Sequence, residues 1–190
     1  MARAGLTADR VTEAAADLAD VVGFDNITLS ALARGFGVAD ASLYSHVRNM
    51  RDLRTRVAVR AAGELADRLA TATAGRAGKE SLAGFANAWR DFARDCPGRY
   101  QATQMAVDPE VVAGSSGHQR IMAITYAHLG AYGLPEPDLT DAIRLLRSTY
   151  QGFFAIEASS GFGHPRDLQA SWEKILDALD SALTHWRVSS

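Results

Sequence analysis

Apolar residues recur along this chain at three- and four-residue steps and never alternate for long enough to make a strand, so periodicity alone selects helices. Val11, Ala14, Ala15, Leu18, Val21 and Val22 form a first stripe, with Thr7 placed to cap it and Gly23 to stop it. Leu29, Leu32, Ala33 and Phe36 make the inner face of a second, shorter helix that opens at Thr28 and closes at Gly37. A third is expected from about Ala39 to Ser45, with Leu43 and Val47 turned inward. Asn49 caps a fourth that carries Leu53, Val57, Ala61, Leu65 and Leu69. After the segment TATAGRAGK at 71–79 the pattern resumes from Leu82 to Ala93 and breaks at Pro97–Gly98. Residues 99–117 suggest a short helix around Tyr100, Met105 and Val107, then a partly looped PEVVAGSSG. Ile121, Ile124, Ala127, Leu129 and Tyr132 form another helix, ended by Gly133. Two long helices are expected at 138–159 and 167–187. The expected fold is all-α with about nine helices: a three-helix N-terminal domain containing a helix-turn-helix, then a helical bundle.

Charge is distributed unevenly. Residues 34–60 hold six arginines (34, 48, 51, 54, 56 and 60) against Asp40 and Asp52, whereas residues 63–190 hold twelve Lys and Arg against fifteen Asp and Glu. A cationic segment near the N-terminus of an otherwise acidic chain points to a polyanion met at one end only. The lone cysteine, Cys96, rules out an intrachain disulfide and fits a reducing compartment. No apolar run is long enough to span a bilayer and no signal peptide opens the chain, so a cytoplasmic protein without a membrane partner is expected. Lysine only at 79 and 174, with abundant alanine, fits a GC-rich bacterial genome.

Catalytic signatures are missing. His46, His118, His128, His164 and His185 are scattered without metal-ligand spacing, and there is no GxSxG or phosphate loop. GFGHP at 161–165 follows a helix rather than a strand, and Asp91 and Asp95 interleave with Arg90 and Arg94 as a salt-linked face. No enzyme, cofactor or metal site is expected.

The stretch VADASLYSHVRNM (38–50) instead places polar groups on a short helix directly after a glycine turn. A helix entering a major groove about 12 Å wide needs small or hydrogen-bonding outer residues. Ala39, Ala41 and Ser42 permit close approach, and Asp40 can accept from a cytosine amino group. Tyr44 and His46 can donate to phosphates, and Thr28 and Asn49 mark helix starts with free N–H groups. Arg48, Arg51 and Arg54 add charge, and an N-terminal arm with Arg3 is a candidate for an adjacent minor groove.

The run NITLSALARGFGVADASLYSHVRNMRDL (26–53) resembles the DNA-binding signature of the TetR family of bacterial regulators. The features shared are a threonine opening the second helix, the glycine–valine turn, the small-residue–Leu–Tyr–x–His run and a leucine in the next helix. Val47 stands where the family often has phenylalanine, and Met50–Arg51 where it often has lysine–glutamate. LLRSTYQGFFAIEASSGFGHPRDLQASWEKILDAL (145–179) resembles, more weakly, the subclass of TetR-like C-terminal domains named for a Trp-His-Gly run, of which Gly152 remains. The resemblance implies a homodimer on a palindromic double-stranded DNA operator, more often a repressor, with a divergent ligand-binding domain. The expected division is 1–57 for DNA and 58–190 for ligand and dimerisation.

Helix 138–159 is apolar almost all round, and helix 167–187 carries one Leu/Trp stripe. Together they predict pairing through Leu139, Ile143, Leu146, Trp172, Leu176, Leu179, Leu183 and Trp186. For an unidentified small, largely apolar effector, the expected lining is Trp89, Phe92, Met105, Tyr126, Leu129, Arg147, Tyr150, Phe153 and Phe154. The competing reading is a helical protein–protein adaptor of the same architecture without DNA binding.

Overall fold

A computed structural model describes residues 5–187. It contains α1 (Ala8–Val22), α2 (Leu29–Phe36), α3 (Met50–Thr73), α4 (Gly78–Asp95), α5 (Pro97–Thr103), α6 (Pro109–Gly114), α7 (Ser116–Leu129), α8 (Asp138–Ala158) and α9 (Leu168–Thr184). Three short 3-10 segments lie at Phe24–Asn26, Asp40–Ser45 and Gly130–Tyr132, and no strand occurs among the described residues. The all-α expectation is met. PEVVAG, expected to be partly looped, is α6: Asp108 caps it by accepting from Glu110 N, and Pro109 sits at its first turn. The break expected at Pro97–Gly98 is present, since α4 ends at Asp95, and Pro97 then opens α5 from its first turn.

Two compact units emerge, and neither follows chain order. Among the described residues, the first comprises 5–65 and 95–120, the second 66–94 and 121–187. In the first, Thr7 accepts from Arg10 N to cap α1, whose inner face is built from Val11, Ala15, Ala16 and Ala19. These small side chains let a neighbour approach closely. At Gly98 on α5, a Cβ would lie 2.1 Å from the Ala19 carbonyl, so only glycine fits there. Arg99 reinforces the contact: its N–H donates to Asp20 at 2.8 Å, and its guanidinium reaches Asp17, Asp20 and Glu64. Leu32, Leu43, Val47, Leu53 and Val57 fill the core beneath α2 and the start of α3.

The second unit is built around Trp172 of α9, which is fully buried. Its ring meets Phe153 at 4.7 Å, Tyr150 at 5.7 Å and Phe154 at 5.7 Å between centroids, and its indole N–H donates to Asn87 at 2.7 Å. Over this cluster lies the buried Arg90 guanidinium, 5.4 Å from the Trp172 ring. It donates to Glu157 at 2.5 and 2.9 Å and to Gln169 at 2.7 Å. Arg90 keeps the Glu157 carboxyl below the usual carboxylate range, through the hydrogen bonds first. Tyr132 donates to Asp180 and Trp186 to Asp138, which fasten α9 to the segments before and at the start of α8.

Candidate nucleic-acid interface and ligand cavity

The helix-turn-helix forms because two caps and one glycine fix its ends. Thr28 accepts from Ala31 N to start α2, and Gly37 ends it in the left-handed region at φ 67°, where an L side chain is strained. The next segment is a 3-10 helix rather than the α-helix expected, held by Ser42 N donating to Ala39 O and His46 N to Leu43 O, each at 2.9 Å. With three residues per turn, burying Leu43 turns the neighbouring side chains outward. Ala39, Asp40, Ala41, Ser42 and Tyr44 are all exposed, Tyr44 to 57%, while His46 is half-buried. Thr28, Arg48 and Asn49 are exposed as well, so the candidate DNA residues share the surface of one small region.

Two candidates also have work inside the chain. Asp40 Oδ2 accepts the Ser30 hydroxyl, bracing the segment against α2 and leaving Oδ1 for any base contact. Asn49 Oδ1 accepts from Asp52 N at 2.9 Å, and Asp52 in turn accepts from Arg48 N at 3.0 Å, a reciprocal cap on α3. Of the six arginines, Arg54 donates to Asp25 O and covers Phe24, Arg56 pairs with Asp52, and Arg60 pairs with Glu13 and Glu64. Arg34, Arg48 and Arg51 are exposed and enter no ion pair among the described residues. The positive charge open to a partner is therefore narrower than the sequence count. Arg3 lies outside the described residues.

In the second unit a cavity of about 90 Å³ opens between α4, α7 and α8. Of the expected ligand residues it takes Trp89, Arg147 and Tyr150. Phe92 and Leu129 are buried in the core, and Phe153 and Phe154 pack on Trp172. Tyr126 faces outward at 44% exposure, and Met105 belongs to the first unit. Phe85, Ile121, Met122, Thr125 and His128 line the cavity and were missed. The signal was present: Ile121, Thr125 and His128 sit at helical spacing on one face of α7. Ile143 and Leu146, expected at a dimer interface, also line it.

Most of the expected pairing stripe is buried already in the single chain. Leu146, Trp172, Leu176, Leu179 and Leu183 are between 0% and 7% exposed in the single chain, and Leu139, Ile143 and Trp186 are half-buried. Trp172 of the α9 stripe packs on Tyr150, Phe153 and Phe154 of α8 within the unit. The large apolar side chains that α8 leaves exposed are Leu145 at 36% and Ile156 at 43%, with the exposed Ser148 and Gly152 between them.

Residues 11–57 match the model for bacterial regulatory proteins of the tetR family, and residues 82–179 match the tetracyclin repressor-like C-terminal domain. The chain is similar to the uncharacterized HTH-type transcriptional regulator YobS of Bacillus subtilis (strain 168), 31% identical over 172 residues, covering 89% of this chain and 88% of the relative. Its fold is similar to that of a TetR variant from Acinetobacter baumannii AYE in complex with minocycline, with a TM-score of 0.71, 21% identity and coverage of 97% and 100%. It is also similar to BioQ with its natural double-stranded DNA operator, with a TM-score of 0.65, 23% identity and coverage of 95% and 99%.

Proposed function

The chain belongs to the TetR family of bacterial transcriptional regulators, and from that premise we propose that it is a cytoplasmic repressor which binds a palindromic operator as a homodimer and is released by a small, largely apolar ligand. Residues 1–57 contact DNA, and residues 58–190 hold the ligand and pair. The observation that carries this reading is the exposed set of small and hydrogen-bonding side chains at Ala39, Ala41, Ser42 and Tyr44, held from behind by buried Leu43 and Val47. Ala41 and Ser42 face base edges, with the free oxygen of Asp40 beside them. Tyr44, His46, Thr28 and Asn49 meet phosphates, together with the exposed Arg48 and Arg51. The exposed side of α8, through Leu145 and Ile156, pairs with its copy. BioQ in complex with its operator and the TetR variant with minocycline supply the precedents for the two partners.

Selection of bound sequences from random duplex DNA by the purified chain tests this directly. The expected product is an inverted repeat with half-sites about one helical turn (~34–36 Å) apart. Tyr44→Phe and His46→Ala then weaken all sequences alike, whereas Ala41→Ser changes the preferred sequence. If no sequence is enriched, the adaptor reading replaces this one.

A further inference from the structure

Three residues that line the cavity of the second unit each carry a buried polar atom with no hydrogen-bond partner: Trp89 Nε1, His128 Nε2 and Tyr150 OH. Buried polar groups are ordinarily paired, so three lining one cavity form a pattern rather than scattered exceptions. Their chemistry is specific. His128 Nδ1 lies 3.1 Å from Ile124 O, which can only accept. The ring proton therefore sits on Nδ1, and Nε2 presents a bare lone pair. Trp89 Nε1–H can only donate, and the Tyr150 hydroxyl can do either. The rest of the wall is largely apolar, from Phe85, Ile121, Met122, Ile143 and Leu146, with Thr125, whose hydroxyl donates to Ile121 O, and Arg147.

We propose that this cavity takes a compact, uncharged molecule with an apolar body and one hydroxyl group, which donates to His128 Nε2 and accepts from Trp89 Nε1–H or Tyr150 OH. The proposal rests on the ligand-responsive reading above and names the ligand's chemical class. Size limits the body to about one ring: the cavity, about 90 Å³, is smaller than the ~150 Å³ apolar cavity known to hold benzene. Met122, 48% exposed on the lining, is a flexible side chain that can yield to a slightly larger body. Charge is excluded for a separate reason. Burial holds the His128 ring below its ordinary value, so it is neutral at physiological pH. Arg147, the cationic residue of the lining, is exposed. A carboxylate among the inner groups would lose its hydration without gaining a counter-charge.

Calorimetric titration of the purified chain without DNA, at pH 7.5, with phenol, toluene and benzoate, tests the assignment. Phenol binds about tenfold or more tighter than toluene, and benzoate gives no saturable heat. Tyr150→Phe, which removes only a hydroxyl without a partner, and His128→Leu each narrow the phenol-to-toluene ratio by about fivefold, as loss of one hydrogen bond requires. Equal affinity for phenol and toluene, tighter binding of benzoate, binding of none of the three, or a ratio unchanged in both variants overturns the proposal. Operator selection is run without any ligand, so its failure removes the regulator reading and leaves the calorimetry standing; the reverse also holds.

Discussion

At the scale of single residues, His128 shows how placement decides chemistry. Its ring stacks on Phe85 at 4.3 Å and burial lowers its affinity for a proton. In the unfolded chain the same imidazole titrates near its ordinary 6.5. The stability it contributes is therefore complete above about pH 6.5 and declines as the pH falls through that value toward the lower folded one, because only the unfolded chain takes up the proton. His118 is lowered in the same direction by burial. Urea midpoints measured at pH 7.5 and 5.5 are expected to fall with acidification, and His128→Leu to make that fall shallower without abolishing it. An unchanged fall in the variant would mean that His128 is not a buried neutral ring. In the sequence this histidine is one of five scattered rings, because its partner Phe85 is 43 residues away and no local pattern joins them. Asp40 was legible as polar and accessible, but its bond to Ser30 depends on how α2 and the 3-10 segment cross.

At the scale of helices, caps and apolar stripes were readable wherever a stripe was long. Thr7, Thr28 and Asn49 cap as the sequence indicates, and the inward pair Leu43 and Val47 is buried. α6 escaped because it buries no residue, so periodicity had nothing to register. Contacts between elements explain two further expectations. Gly98→Ala drives α5 off α1, since its Cβ would collide with the Ala19 carbonyl, and urea denaturation should show a loss of about 1–3 kcal/mol. Arg90→Met leaves Glu157 and Gln169 without their donor and should cost about 3 kcal/mol; adding Glu157→Met should restore much of it, because the stranded carboxylate is then gone as well. If the double variant were no more stable than Arg90→Met alone, the cost would come from lost packing over Phe153 and Trp172 rather than from charge.

At the scale of the molecule, net charge says little about DNA, because −2 averages an arginine-rich segment with an acidic remainder. Under the proposed operator binding, pairing of Arg54, Arg56 and Arg60 within the chain leaves phosphate contact to Arg34, Arg48, Arg51 and the exposed hydroxyls and amides. With these duplicated in a dimer, log K for the operator should fall against log[salt] with a slope of magnitude ~4 or more, measured by fluorescence anisotropy. A slope near zero would argue against phosphate neutralisation. Ile156→Asp should yield a folded monomer by analytical ultracentrifugation, with operator affinity lost in step. Trp172, Leu176, Leu179 and Leu183 of the Leu/Trp stripe of α9, legible as apolar and expected at a dimer interface, are already buried in the single chain. If the chain pairs as proposed, a lone copy can therefore persist intact after leaving its mate, and freshly made and older copies can trade partners. Under the proposed pairing, the amount of operator-competent species then rises with the square of expression at low abundance, so a cell reads its own dosage of this regulator before any effector arrives.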